Sequence, residues 1–518
     1  MKYPLAKFSN LPIIIGTKMT TWILHPPERR SRAGLTDKKL SAEQASNKYK
    51  QMKNRKKLLG LLLLLSVANT YAEIWLPSIL SDNMVLQQDS NVTIWGWTTS
   101  TSEDITVYGT WNNEKVTTKA FQGSWSLQLP TPKAGGTYSL IVEGHEKLEL
   151  TNVLIGEVWL GSGQSNMQWT PKNGLENVDE EIKNANYPEI RFFQVAQQVS
   201  EHPQDQLKGK WEVCTAETME KFSSVAYFFG RELYKNLSVP VGLINSSWGG
   251  TPVEVWLKKE LITKDAELAE ASKKLNEVAW WPSNPGLTYN AMIHPITKFN
   301  IAGCIWYQGE SNRVNPISYY KSFPLMIKSW REEWGKDLPF YFVQIAPYKY
   351  DDPKGTDAAH VRDAQLHTMN NLANTGMVVT NDIGNLENIH PINKQDVGQR
   401  LALWALAKTY GKKGFEYSGP IFRSKEVKNK KIVLSFDYAD KGLMQKGKEL
   451  REFYVAGEDR VFYPAKAKID RNTVILSSSK VKHPVEVRFA FTNGALPNLY
   501  NSEGLPASAF RTDDWDLK

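Results

Sequence analysis

Between residues 153 and 412 the chain repeats one order: a short apolar run, then a stretch of helical length. The apolar runs are Val153-Leu154-Ile155, Val241-Gly242-Leu243-Ile244, Ile301 to Trp306, Phe340-Tyr341-Phe342-Val343 and Met377 to Thr380. Helical stretches include Ser224 to Leu237, Tyr319 to Trp334 and Val397 to Tyr410. Runs this short and this apolar are buried strands, and strands that alternate with helices form a parallel sheet with helices on both faces. In such sheets ligands bind beyond the carboxyl ends of the strands. Any chemistry in this region is therefore expected just after an apolar run.

The flanks are patterned differently. Residues 73–152 alternate apolar and polar positions in short runs, among them Val92 to Trp97, Ile105 to Tyr108, Ser124 to Leu129 and Tyr138 to Val142. That period and spacing predict a β-sandwich. Residues 413–518 return to short strands, such as Lys431 to Phe436 and Val485 to Phe491, and predict a C-terminal β-rich domain. No chemistry stands out in either flank. Hydrophobic residues make up 41% of the chain, enough for a packed core and too many for global disorder. The 18 Trp are either packed inside or used in part to stack on flat ligand faces.

The basic net charge of +8 comes from the N-terminus. Residues 1–72 hold 14 of the 63 Lys and Arg but only 3 of the 55 Asp and Glu, so the remainder has 49 basic and 52 acidic side chains. This removes the electrostatic motive for nucleic acid or an anionic membrane. Lys53, Arg55, Lys56 and Lys57 precede the apolar run Leu58 to Val67, and Ala72 closes the stretch. A positive segment, a short apolar segment and a small residue form a signal peptide over 52–72, too short to span a bilayer. Met52 sits where a secretory start belongs, so residues 1–51 are read as an upstream extension of the reading frame. The protein is expected to be exported, to the periplasm or beyond the cell, with no membrane span after cleavage. Two cysteines exclude a disulfide-dense scaffold and a Cys-built zinc site. Cys214 and Cys304 either pair or stay buried and free.

Four segments carry reactive residues, each after a predicted strand. Gly161-Ser162-Gly163-Gln164-Ser165-Asn166-Met167 turns sharply and exposes a hydroxyl, although Met167 stands where a Gly-x-Ser-x-Gly elbow needs its last glycine. Ser162 is a competing serine, one turn too early. Ser247-Trp248-Gly249-Gly250-Thr251-Pro252 lets backbone N–H groups approach a ligand. Trp306-Tyr307-Gln308-Gly309-Glu310-Ser311-Asn312 offers amide donors that do not titrate. Asp382 to Pro391 places Glu387 three residues before His390, a spacing that allows a carboxylate–imidazole pair. Of the other histidines after the leader, only His294 rivals His390. A serine, an imidazole and a carboxylate with oxyanion donors between them are acyl-transfer equipment. Neither a His-Glu-x-x-His pattern nor a cysteine cluster is present, so no metal or cofactor is expected.

These stretches, with Glu157-Val158-Trp159-Leu160 before the first and His390-Pro391-Ile392-Asn393-Lys394 and Val397-Gly398-Gln399-Arg400-Leu401 after the last, resemble the sialate O-acetylesterase family of SGNH-type esterases. The likeness extends over nearly all of residues 73–518. It implies an α/β fold, a flavodoxin-like three-layer SGNH hydrolase core over 153–412, flanked by the β-rich regions. It implies Ser165 as nucleophile and His390 as general base, with oxyanion donors from the Ser165 N–H, from Gly249 or Gly250, and from the Gln308 side chain. SGNH enzymes usually carry Asp three residues before the His, and the sialate branch often two before; here those positions are Glu387 and Asn388. The third member is therefore Glu387, then Asp382, then Asp396, or a backbone carbonyl in its place. Gln164, Asn166, Glu310, Asn312 and Arg313 stand as substrate-binding candidates, Arg313 and Arg362 as partners for a sugar carboxylate, and Trp159, Trp169, Trp248 and Trp306 as pocket walls. The implied substrate is an O-acetylated sialic acid. The alternatives are an esterase for acetylxylan or another polysaccharide, and a secreted carbohydrate-binding protein without catalysis.

Overall fold

The computed structural model describes residues 41–65, 73–352 and 355–515. Ala42–Leu65 is one helix in a unit of its own. Ala72, the expected cleavage site, and residues 1–40 lie outside the described residues. No helix among the described residues is long and apolar enough to cross a membrane. The described residues from 73 onward form one compact unit.

The core of that unit is a sheet built from β1 (Lys147–Gly163), β2 (Tyr187–Gln194), β3 (Trp211–Cys214), β4 (Val241–Ser247), β5 (Gly303–Tyr307), β6 (Phe340–Val343) and β7 (Thr375–Val378). Their order across the sheet is β3-β2-β4-β1-β5-β6-β7, parallel throughout except for β3 at the edge. Successive side chains of a strand point to opposite faces, and here they enter two separate apolar clusters. Trp159, Ile305, Tyr307, Tyr341 and Val343 pack with α2 (Ser224–Leu237) and α5 (Lys394–Trp404). Leu160, Cys304, Trp306, Phe340 and Phe342 pack with α3 (Pro316–Trp334) and α4 (Asp357–Asn371). Burial on both faces explains why the sequence shows these strands as unbroken apolar runs. The result is a three-layer α/β core.

Position 152 falls inside β1, which runs for 17 residues. Its first half pairs antiparallel with Gly135–Glu143 and parallel with Val85–Gln87, and its second half lies between β4 and β5. One strand thus joins the N-terminal β-region to the core. Ser90–Thr98 and Ser124–Thr131 pair in the other sheet of that region, and the apolar alternates of both sheets share one cluster. Beyond residue 420 two four-stranded antiparallel sheets and one two-stranded antiparallel sheet form the β-rich C-terminal region among the described residues. Cys214 and Cys304 are both buried and free, and burial pushes the Cys214 thiol up to about 12.

The chain leaves β1 toward β2 and β4 on one side, then crosses to β5, β6 and β7 on the other. The crevice at such a reversal is where open α/β sheets bind ligands. Gly163, Ser247 and Tyr307 lie side by side in register, so β1, β4 and β5 end at one level. Gly163 has φ +137°, and a Cβ there would sit 2.2 Å from the Tyr307 carbonyl oxygen. Gly163→Ala is expected to lower unfolding free energy by about 3 kcal/mol, from backbone strain and overpacking between two buried strands. Urea denaturation checks this; a loss within experimental error would show that the rim can spread.

Candidate functional site

Three of the four segments start at that common rim. The Gln164 N–H donates to the Tyr307 carbonyl and the Trp248 N–H to the Gly163 carbonyl, each at 3.0 Å, which extends the ladder one step beyond the strands. Ser165 then opens α1 (Ser165–Gln168), a helix of only four residues. A helix this short leaves single backbone N–H groups as the nearby donors. Ser162 faces away: it is buried and its hydroxyl donates to the Ser246 carbonyl at 2.6 Å.

His390 arrives from the loop after β7. Its Nε2 lies 2.8 Å from Ser165 Oγ, across 225 positions of sequence. With Nδ1 carrying the ring proton, the hydroxyl donates to Nε2. Burial, then the Lys394 cation, pulls the imidazole down to about 4. A neutral base is therefore available throughout the ordinary pH range. If His390 is the base, the acid limb of kcat/KM should fall near pH 4 to 5, not near the free imidazole value of about 6.5. A pH–rate profile decides; a limb at 6.5 would remove the imidazole from this environment.

None of the three acids weighed above is brought to the ring. Asn385 Oδ1 accepts from the N–H groups of Glu387 (2.9 Å) and Asn388 (3.2 Å), and Asn388 Oδ1 accepts from His390 N–H (2.9 Å). These side chain–backbone turns leave Glu387 exposed. Asp382 is held by both guanidinium nitrogens of Arg400, at 2.8 Å each. Asp396 is bound to Asn393 at the start of α5. Among the described residues, no carboxylate hydrogen-bonds His390. Instead its ring lies on Trp169, with centroids 4.5 Å apart and planes 22° apart.

The expected oxyanion donors divide. Gln308 is fully buried, and its amide donates to the Thr251 carbonyl (3.2 Å) and Asn312 Oδ1 (2.7 Å), so both hydrogens are spent behind the site. Gly249 N–H donates to Gln168 Oε1 at 2.7 Å. Gly250, at φ +81°, lies against the Trp281 ring, where a Cβ would clash at 2.2 Å. The N–H groups of Ser165 and Gly250 have no hydrogen-bond partner among the described residues.

The substrate-binding candidates divide too. Asn312 is buried between Val253 N–H, Gln308, Glu254 and Asn315 and serves as scaffold. Asn166 is also buried: it donates to Glu310 Oε1 (2.7 Å) and to the Ile389 carbonyl (3.1 Å), and accepts from Lys394 Nζ (2.6 Å). It thereby ties the turn bearing Ser165 to the loop bearing His390. Burial raises the Glu310 carboxyl and pulls the Lys394 ammonium down to about 7. Gln164, Glu310 and Arg313 line a cleft of 710 Å³ with Ser165 and His390. Its walls are aromatic: Trp248, Trp280, Trp281, Tyr348 and Tyr350. Trp280 is 72% exposed, an indole that no core contact requires. The Arg313 guanidinium lies 4.6 Å from the Tyr350 ring centroid and makes no ion pair among the described residues. Arg362, by contrast, is fully buried and donates to the carbonyls of Thr492 and Asn493, so it cannot reach a sugar carboxylate. Trp159 and Trp306 belong to the core. Lys394 and the Trp280-Trp281 doublet are not legible as site residues from the sequence, where the doublet's one visible signal is two adjacent indoles in a Pro- and Asn-containing loop.

A three-layer core with a hydroxyl and an imidazole in contact at its switch point, under an aromatic cleft, has the architecture of an SGNH-type carboxylic ester hydrolase. Known proteins agree. The family model for carbohydrate esterase, sialic acid-specific acetylesterase, matches residues 155–407. The Homo sapiens sialate O-acetylesterase is 33% identical over 407 residues, 71% of this chain and 77% of that protein. The Mus musculus sialate O-acetylesterase is 30% identical over 482 residues, covering 80% and 89%. A carbohydrate acetylesterase from Xanthomonas citri superposes with a TM-score of 0.78 at 38% identity, covering 86% of this chain and all of that one. This chain belongs to the sialate O-acetylesterase family.

Proposed function

We propose that the protein is an exported serine esterase that removes O-acetyl groups from sialic acids through an acetyl-enzyme, with Ser165 as nucleophile and His390 as general base. The observation that carries this reading is the 2.8 Å contact between Ser165 Oγ and His390 Nε2 on the floor of the cleft. His390 takes the hydroxyl proton as Oγ attacks the acetyl carbon. The N–H groups of Ser165 and Gly250 receive the oxyanion, each worth about 2.7–4 kcal/mol in such a role. The imidazolium then protonates the departing sugar oxygen, and water repeats the sequence to release acetate. Export is supported by the basic cluster and apolar run over Lys53 to Val67.

Two facts favour a sialic acid over a neutral polysaccharide. The relatives above are named sialate O-acetylesterases. Among the described residues the cleft also contains one cation without an ion pair, Arg313, beside sugar-sized aromatic walls, and a guanidinium suits a carboxylate. Acetate release from 9-O-acetylated sialic acid and from acetylated xylan tests the choice. The expected kcat/KM favours the sialate by at least about tenfold, and Arg313→Gln removes most of that preference by raising KM, as loss of a charge-assisted hydrogen bond of about 1.5–3 kcal/mol requires. Equal rates on both substrates would end the sialate assignment while leaving the esterase intact.

A further inference from the structure

We propose that Trp169 is the positioning residue of His390, doing by stacking what a carboxylate does in a Ser-His-Asp triad. The proposal rests on reading Ser165 and His390 as the catalytic pair. A triad acid has two tasks: it fixes the orientation of the imidazole and it favours the imidazolium as that forms. Here Glu387 is turned to solvent, Asp382 is bound to Arg400 and Asp396 to Asn393, so among the described residues neither task falls to a carboxylate.

The indole meets both requirements. Its ring covers the imidazole at 4.5 Å with planes 22° apart. It is itself fixed, with Nε1 donating to the Gly174 carbonyl at 2.6 Å. Its N–H donates to the Ser165 carbonyl (2.8 Å), and its carbonyl accepts from Ser224 N–H (2.9 Å). Trp169 therefore caps the same short helix that Ser165 begins, and the nucleophile and the plate under its base form one rigid piece. An aromatic face attracts a cation, which favours the imidazolium at a place where burial and Lys394 oppose it. Lys394, 5.7 Å from the same ring centroid, is the charged group that faces this stack; Glu310 stands behind it across Asn166. Trp169 does not line the cleft, so its effect should reach the rate and not the binding of substrate.

The test uses p-nitrophenyl acetate and the variants Trp169→Leu, Trp169→Phe and Ser165→Ala. Trp169→Leu is expected to lower kcat by about 50–100-fold with KM within about twofold, the scale on which a misplaced catalytic group acts. Its acid limb should move to lower pH, because the imidazolium loses the aromatic face. Trp169→Phe, which keeps a flat ring, should recover to within about fivefold of wild type. A wild-type kcat in Trp169→Leu, a Phe variant as impaired as the Leu variant, or an effect confined to KM would overturn the proposal. If the Leu variant does not fold, selective labelling of histidine in the wild-type protein replaces it. The His390 ring protons, assigned by their loss in His390→Gln, should then show a strong upfield ring-current shift that disappears in Trp169→Phe only in part; unshifted protons in wild type overturn the proposal. Ser165→Ala separates the two levels. Turnover retained in Ser165→Ala removes the catalytic pair, whereas a dead Ser165→Ala beside an unaffected Trp169→Leu removes this inference alone.

Discussion

Ser165→Ala is expected to lower acetate release by at least about 10⁴-fold while leaving the fold and its stability nearly unchanged. In the proposed mechanism the hydroxyl is the atom that becomes covalently bound to acetyl, and neither nearby serine replaces it. Ser162 is buried and committed to the Ser246 carbonyl, and Ser311 is committed to the Gly250 carbonyl. Removing one oxygen at a half-buried position gives up only the contact with His390, so stability should change by less than about 1 kcal/mol. His390→Ala should be impaired to a similar degree. In the proposed mechanism the two act as a unit, so the double variant should be no worse than either single one; additive losses would mean that the groups act independently. Acetate release by the three variants, with thermal unfolding as control, decides the matter. Residual activity above about 1% in Ser165→Ala would leave the mechanism without its nucleophile.

The parts of this site that were legible in the sequence are those set by short-range chemistry. Apolar runs buried on both faces mark the strands of the core, and a strand end marks where a reactive side chain can stand. That logic reaches Ser165 and His390 separately, and the sheet brings them within 2.8 Å. It fails where one residue type serves two purposes. Gln308 and Asn312 have the amides an oxyanion needs, yet the same amides satisfy buried carbonyls and the Glu254 carboxylate, and only the packing shows which role they take. Glu387 has the spacing of a triad acid, but Asn385 and Asn388 bend the loop so that its carboxylate faces solvent. The stack of Trp169 on His390 joins positions far apart in the chain through a contact with no spacing rule. The Lys394 ammonium was equally hidden, since a lysine on a helix ordinarily points to water, whereas this one is fully buried.

Lys394→Met is expected to lower kcat by about 100-fold and stability by about 3 kcal/mol, with KM little changed. The lysine holds Asn166 Oδ1 at 2.6 Å, and Asn166 in turn donates to Glu310 and to the carbonyl of Ile389, the residue before His390. Methionine fills the same channel without charge or donor. The buried Glu310 carboxylate then loses its cation, which accounts for the stability cost, and Asn166 loses the bond that fixes its amide, which loosens the histidine loop relative to Ser165. The pH profile provides a separate sign. The Lys394 charge holds the imidazole down, so its removal raises the His390 pKa, and the acid limb of kcat/KM should move up toward neutrality. Glu310→Gln keeps the acceptor for Asn166 and removes the opposing charge. Lys394→Met combined with Glu310→Gln should therefore recover much of the stability, because no unpaired charge remains, but not kcat, because Asn166 still lacks its anchor. Denaturation curves and pH–rate profiles for the two single variants and the double one test this; recovery of kcat together with stability would show that the lysine serves only to neutralise Glu310.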